Sequence, residues 1–204
     1  MRAPQNIIFD LGGVLLNIDY SKTENAFKEL GFPRFNEMYN QYTANDLFEN
    51  LETGNISDNE FYRLLLGDAG TILETRQLTE AWNAMLLDFR VASLAFLEVL
   101  AINHRLFLLS NTNAIHHAAF MQIYAELGSS RTFDGYFEKA WYSHELGLRK
   151  PGRKVFDHVL REAGLKPSET LFIDDSFNNI EGAKEAGLLT HLLVPGETIE
   201  QVLA

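Results

Sequence analysis

The stretch TLFIDDSFNNIEGAKEAGLLTHLLV, residues 170–194, carries a strand–helix–strand signature. Leu171–Ile173 is a short apolar run, Asn178–Ala186 has a helical pattern that stops before Gly187, and Thr190–Val194 is apolar again. Runs of this kind, apolar on both faces and joined by a crossover helix, predict buried parallel strands. A glycine directly after a helix suits the left-handed position that closes it.

The same alternation extends outward along the chain. Asn6–Phe9, Leu106–Leu109 and Lys139–Tyr142 are further strand-like runs. Val91–Asn103, Ile115–Leu127 before Gly128, and Arg153–Ala163 before Gly164 read as helices. The prediction is an α/β fold, a Rossmann-like, doubly wound parallel sheet with right-handed crossovers.

Residues 18–88 break that rhythm, with no convincing buried strand. Ser21–Leu30 reads as a helix ending at Gly31, Ser57 with Glu60 as a capping box for a helix through Leu66, and Gln77–Leu87 as another helix. The expected organisation is a core made of residues 1–17 and 89–204, with a small helical cap at 18–88 inserted after the first strand. Phe27, Phe48, Phe61, Tyr62 and Trp82 are expected to form the cap's own interior.

Composition narrows the function. A chain of 204 residues, 46% hydrophobic, can bury a substantial core. A net charge of −11 argues against a nucleic-acid partner, which needs clustered Lys and Arg. With no cysteine, disulfide and thiolate chemistry are excluded. The first ten residues lack a long apolar signal core, and no apolar stretch approaches the ~20 residues that span a bilayer. A cytoplasmic protein without a membrane partner, monomeric or weakly homo-oligomeric, is expected.

In doubly wound sheets, ligands bind outside the carboxyl ends of the strands. Asp10-Leu11-Gly12-Gly13 follows the first run, Ser110-Asn111-Thr112 the second, and Asp174-Asp175 the Leu171–Ile173 run. Lys150, before Pro151, opens the segment leading to Arg153–Ala163. Singly, each has an ordinary reading as a turn, a helix cap or a solvated loop. Together, at one edge of the sheet, they supply carboxylates for a cation, a hydroxyl with exposed amides, and one ammonium. Adjacent carboxylates at a strand end repel unless a cation lies between them, and Mg²⁺ favours one or two carboxylates plus substrate phosphate.

The motifs FDLGGVL at Phe9–Leu15, LLSNT at Leu108–Thr112, GLRKP at Gly147–Pro151 and FIDDSFNNIEGA at Phe172–Ala183 resemble those of the haloacid dehalogenase-like hydrolase superfamily. Within it, FENLETGNISDNEF at Phe48–Phe61 and the LSNTN segment look most similar to bacterial phosphatases acting on α-D-glucose 1-phosphate. The resemblance implies an aspartyl-phosphate formed on Asp10, and Mg²⁺ bound by Asp10, the carbonyl of Gly12 and Asp175, with Asp174 close by or bridging through water. It also implies that Ser110, the amide of Asn111 and Lys150 hold the phosphoryl oxygens, while Asn179 anchors the acidic loop and Lys150. The implied partner is a small phosphorylated metabolite, with specificity set by cap residues such as Glu49, Glu52 and Asn55.

One position departs from the pattern. Most phosphatases of this superfamily carry a second Asp two residues after the nucleophile, as general acid and base, and here that residue is Gly12. Such a group is ordinarily worth about 10²–10⁴-fold in rate. A good leaving group, a carboxylate such as Glu49 or Glu52, or a water would compensate. Otherwise the chain binds phosphate and metal with little turnover. Carbon–halogen hydrolysis is the other enzymatic alternative, but it needs no metal and leaves Asp174-Asp175 unexplained. The six histidines show no HExxH spacing, and His116–His117 reads as a helix-surface pair. GxGxxG, Walker and GxSxG motifs are absent.

Overall fold

The computed structural model describes residues 4–40, 43–67 and 73–204. In chain order the elements begin with β1 (Asn6–Phe9), β2 (Leu16–Ile18), α1 (Tyr20–Glu29), α2 (Phe35–Met38), β3 (Tyr39–Asn40) and β4 (Thr43–Ala44). They continue with α3 (Asp46–Glu52), α4 (Asp58–Gly67), α5 (Thr75–Asn83), β5 (Leu86–Phe89), α6 (Val91–Leu100), β6 (Arg105–Ser110) and α7 (Ala114–Ala125). The remainder is β7 (Lys139–Tyr142), α8 (Ser143–Leu146), α9 (Arg153–Glu162), β8 (Thr170–Asp174), α10 (Phe177–Glu185), β9 (Leu189–Leu192) and α11 (Ile199–Leu203).

The expected doubly wound sheet is present. Its five strands run in the order β7-β6-β1-β8-β9, and every pairing is parallel. Side chains alternate along β1, so Ile7 and Phe9 enter one core with Leu94, Leu97 and Phe120, while Ile8 enters the other with Phe156, Val159 and Ile180. Helices therefore cover both faces, as an all-parallel sheet requires. Thr190–Val194, read as a doubly buried strand, lies one residue earlier as β9 and is only half-buried along its length. Among the described residues it pairs with β8 alone, so no described strand covers its outer side.

The segment between β2 and β5 builds a separate interior. Phe27, Phe35, Phe48, Phe61, Tyr62 and Trp82 pack together there, with Ile115 of α7 joining from the sheet-bearing part. Trp82 is fully buried, and its backbone oxygen accepts from Thr23 Oγ1 at 3.0 Å.

Three expectations for this segment need correction. The residues read as a helix over Gln77–Leu87 divide between α5, which starts at Thr75, and β5. Glu74 and Gln77 form the capping box that sets the earlier start. Leu86–Phe89 instead pairs antiparallel with β2, Leu16 opposite Phe89 and Ile18 opposite Leu86, so tertiary pairing overrides helical spacing. Together with the short β3–β4 hairpin, this ribbon adds half-buried strands to a segment expected to be helical and without a buried strand. Of the box expected at Ser57 and Glu60, one half forms: Glu60 N donates to Ser57 Oγ at 3.3 Å, while the Glu60 carboxylate pairs with Arg63.

Replacing a fully buried tryptophan by alanine loses apolar burial and leaves a cavity. Trp82→Ala should lower the unfolding free energy by about 3–5 kcal/mol in a urea titration. A change below ~1 kcal/mol would show that this aromatic cluster is not a packed core.

Candidate active site

The register of the sheet creates the site. Phe9 lies opposite Leu108 on β6 and Ile173 on β8. The next residues in each chain segment, Asp10, Leu109-Ser110 and Asp174, are thereby brought to one edge, and Asp10 N donates to Ile173 O at 2.9 Å. Neighbouring strands are about 4.8 Å apart, which is within reach of one shared cation.

Lys150 occupies the centre. Its Nζ donates to Asp10 Oδ1 and to Asp174 Oδ2, both at 2.7 Å, and the side chain is 1% exposed. Its backbone is clamped by Asn111, whose Oδ1 accepts from Lys150 N and whose Nδ2 donates to Lys150 O, each at 2.9 Å. Asp174 also accepts from Ser176 N at 2.8 Å and from Asn179 Nδ2 at 3.0 and 3.1 Å. Asn179 thus anchors Asp174, and reaches Lys150 through it. Two glycines permit this closeness. A Cβ on Gly13, which has φ +71°, would lie 2.2 Å from Asp175 Oδ2, and a Cβ on Gly182 would lie 2.2 Å from Pro151 O. Side chains there would displace Asp175 from β1 and α10 from the Lys150–Pro151 turn.

Charge at this edge is unbalanced. Asp10, Asp174 and Asp175 each offer a carboxylate oxygen, all within 4.8 Å of one another, against the single Lys150 ammonium. Burial works to lower Lys150, but Asp10 and Asp174 overcome it and hold its proton above the ordinary lysine range. Asp10 is pushed up to about 8, first by burial and then by Asp174 and Asp175, against the pull of Lys150. Burial and then Asp174 raise Asp175 to about 6. Three converging carboxylates with surplus negative charge fit a hard divalent cation such as Mg²⁺.

A cavity of about 350 Å³ opens above this edge. Asp10, Gly12, Ser110, Asn111, Lys150 and Asp175 line it, so the residues expected in the site converge, with Asp174 buried beneath. Glu49 and Glu52 reach it as expected from α3. Asn55 does not; it lines an adjoining shallower groove and bonds to Asn50 and Thr53. A Cβ at Gly12 would meet Ile18 Cγ1 at 3.2 Å, so a second Asp there would require the Ile18 side chain to give by a few tenths of an ångström.

Sequence reading missed several lining residues, among them Tyr20, Tyr39, Arg149 and His116. Tyr20 and Tyr39 enter from the segment between β2 and β5, and Arg149 binds Glu49 at 2.6 Å and Glu52 at 2.9 Å. Arg149 precedes Lys150 in GLRKP, so a second cation there was the available signal. Burial raises Glu52 despite Arg149. His116, read as a surface residue, is buried instead. It stacks on Trp82 with ring centroids 4.3 Å apart, and its Nε2 lies 3.0 Å from Trp82 O. The hydrophobic run Ile115–Leu127 concealed which face α7 turns inward.

Comparison with known proteins gives the family and the fold. Residues 4–187 match the haloacid dehalogenase-like hydrolase family. A D-ribitol-5-phosphate phosphatase of Bacteroides thetaiotaomicron is 34% identical over 91% of this chain and 90% of its own. The fold superposes with a TM-score of 0.92 on a variant of the haloacid dehalogenase family enzyme bt-2542 from the same organism, crystallised with magnesium and inorganic phosphate. That pair is 32% identical, covering 99% of this chain and 100% of the other. An L-2-haloacid dehalogenase of Xanthobacter autotrophicus shares the fold, with a TM-score of 0.60 at 18% identity over 93% of this chain and 77% of its own. The chain belongs to the haloacid dehalogenase-like hydrolase family.

Burial lowers the His116 imidazole to about 4 from its ordinary 6.5. As pH falls below 6.5 the unfolded chain takes the proton first, so stability present above that pH is lost down to about pH 4. The loss is about 3 kcal/mol. Denaturant unfolding at pH 7 and pH 4.5 should show a steeper acid loss in the wild type than in His116→Gln. Identical acid limbs would contradict a buried neutral imidazole.

Proposed function

We propose that this member of the family is a Mg²⁺-dependent phosphatase of small sugar or polyol phosphates. The observation that carries the reading is the Lys150 ammonium fixed 2.7 Å from both Asp10 and Asp174 on the floor of a cavity of about 350 Å³. A dianionic ester approaches a carboxylate nucleophile only where cations offset the repulsion.

In this account Asp10 attacks phosphorus in line. The Asp10 O–P bond forms as the bond to the ester oxygen breaks, and water then hydrolyses the aspartyl-phosphate to release inorganic phosphate. Lys150 uses two of its three N–H donors on Asp10 and Asp174, which leaves one for a phosphoryl oxygen. Ser110 Oγ and the amide of Asn111 hold the other oxygens, and the Asn111 side chain fixes the Lys150 backbone. Asp10, the Gly12 carbonyl and Asp175 would hold Mg²⁺, with Asp174 acting through Lys150 or a water. When bound, the ion neutralises charge on the phosphoryl group and orients it. Residues 18–88 act as a cap that limits water entry and carries the specificity residues.

Gly12 supplies no proton to the departing oxygen, so the reading favours leaving groups that need little protonation. An anomeric phosphate such as α-D-glucose 1-phosphate qualifies, because its hydroxyl is more acidic than an ordinary alcohol. Ribitol 5-phosphate, the substrate in the relative's name, leaves as a primary alcohol. It is the natural counter-test.

Phosphate release should require Mg²⁺, stop with EDTA, and fall by at least ~10⁴-fold in Asp10→Asn. Glucose 1-phosphate should exceed glucose 6-phosphate and ribitol 5-phosphate by about 10²-fold in kcat. Equal rates would transfer the acid role to a cap group. Phosphate and metal binding without release from any ester would contradict the phosphatase reading.

A further inference from the structure

Beyond the phosphoryl-binding edge, the cavity is lined by Tyr39, Glu49, Glu52 and Arg149. Glu52, 4% exposed, accepts a hydrogen bond from Tyr39 Oη on Oε1 at 3.1 Å. Its Oε2 lies 2.9 Å from Arg149 Nη2, but this is a charge contact off hydrogen-bond geometry. Glu52 Oε2 and Arg149 Nε are both buried, and neither has a hydrogen-bond partner among the described residues. Arg149 Nη1 is taken by Glu49 Oε1 at 2.6 Å.

Two consequences follow from this arrangement. The Arg149 guanidinium faces two carboxylates, so it has no surplus charge for an incoming anion. At this end of the cavity Glu49 and Glu52 set two carboxylates against one cation, Arg149, while Lys150 belongs with Asp10 and Asp175 to the phosphoryl end. The second consequence concerns hydrogen bonding. Glu52 Oε2 can only accept and Arg149 Nε can only donate, so a hydroxyl, which does both, complements their ion pair. A carboxylate or second phosphate can only accept, and would set another negative charge beside Glu52.

We propose that Glu52 and Arg149 form a hydroxyl-selective subsite that accepts neutral polyhydroxylated leaving groups and turns away anionic ones, with Glu52 as the specificity-determining residue. The subsite rests on the phosphatase reading and deepens it. Arg149 beside Lys150 would otherwise suit a bisphosphate or a phosphorylated acid, and Glu52 is what converts it to a neutral-sugar site.

Matched ester pairs test this directly. α-D-Glucose 1-phosphate and α-D-glucuronic acid 1-phosphate differ only in a CH₂OH or carboxylate at C6; glucitol 6-phosphate and 6-phosphogluconate differ in the same way at C1. The wild type should prefer the neutral member of each pair by about 10²-fold in kcat/KM. Glu52→Gln keeps the size, removes the charge and frees Arg149, so the preference should fall by about 10-fold or more, mainly through KM. Each ratio is taken within one preparation, so a partly unfolded variant does not distort it. Glu49→Gln, at the more exposed partner, should change the ratio less. A wild-type ratio near one, a ratio unchanged in Glu52→Gln, or a larger effect from Glu49→Gln would overturn the assignment. Release of phosphate from none of the esters would contradict the phosphatase reading and the subsite with it.

Discussion

Lys150 Nζ lies between Asp10 at the end of β1 and Asp174 at the end of β8, 2.7 Å from each. Much else in the structure serves that contact. Burying an ammonium and two carboxylates is costly unless all three are paired, and removing one partner of such a set costs about 3–5 kcal/mol. Asn111 clamps the Lys150 backbone, Asn179 and Ser176 saturate Asp174, and Gly182 lets α10 approach the Lys150–Pro151 turn. These groups come from three segments at the carboxyl edge of the sheet: Asn111 after β6, Lys150 before α9, and Ser176, Asn179 and Gly182 after β8. The parallel register is what allows them to converge.

The contact also leaves a charge problem, and the problem explains the cofactor. One ammonium offsets part of the negative charge of three close carboxylates, and burial first, then that surplus, raises the affinity for protons at Asp10 and Asp175. A divalent cation resolves the surplus and prepares the edge for a phosphate dianion. The same economy recurs across the cavity, where Arg149 is matched by Glu49 and Glu52. In the proposed function, positive charge is thereby confined to the phosphoryl end, while the leaving-group end is polar and carries no surplus positive charge. In a chain of net charge −11, that confinement is how an anionic substrate finds a place to bind.

Much of this was legible in the sequence, for identifiable reasons. Parallel strands buried on both faces leave uninterrupted apolar runs, so β1, β6 and β8 were visible, and a strand's carboxyl end points to the site. The acidic pair was conspicuous because adjacent carboxylates demand an explanation. What escaped detection depends on partners distant in sequence. Leu86–Phe89 is a strand only because Leu16–Ile18 lies against it, and in isolation its spacing continues the helix before it. His116 is buried because Trp82 covers it. Arg149 is an ordinary surface-type residue until the fold sets it against Glu52, nearly a hundred positions earlier in the chain. Asn55 had the right chemistry in the wrong turn of chain, three residues beyond the end of the cavity-facing helix.

The central claim is that Asp10 carries the transferred group while Lys150 and a divalent ion share its charge. Beryllium trifluoride binds a carboxylate as a mimic of aspartyl-phosphate, so a crystal structure of the protein with Mg²⁺ and beryllofluoride examines all three groups at once. The account predicts an adduct on Asp10, Mg²⁺ held by Asp10, Asp175 and the Gly12 carbonyl, and Lys150 Nζ within hydrogen-bonding distance of a fluorine. An adduct on another side chain, or Mg²⁺ bound away from Asp10 and Asp175, would contradict it.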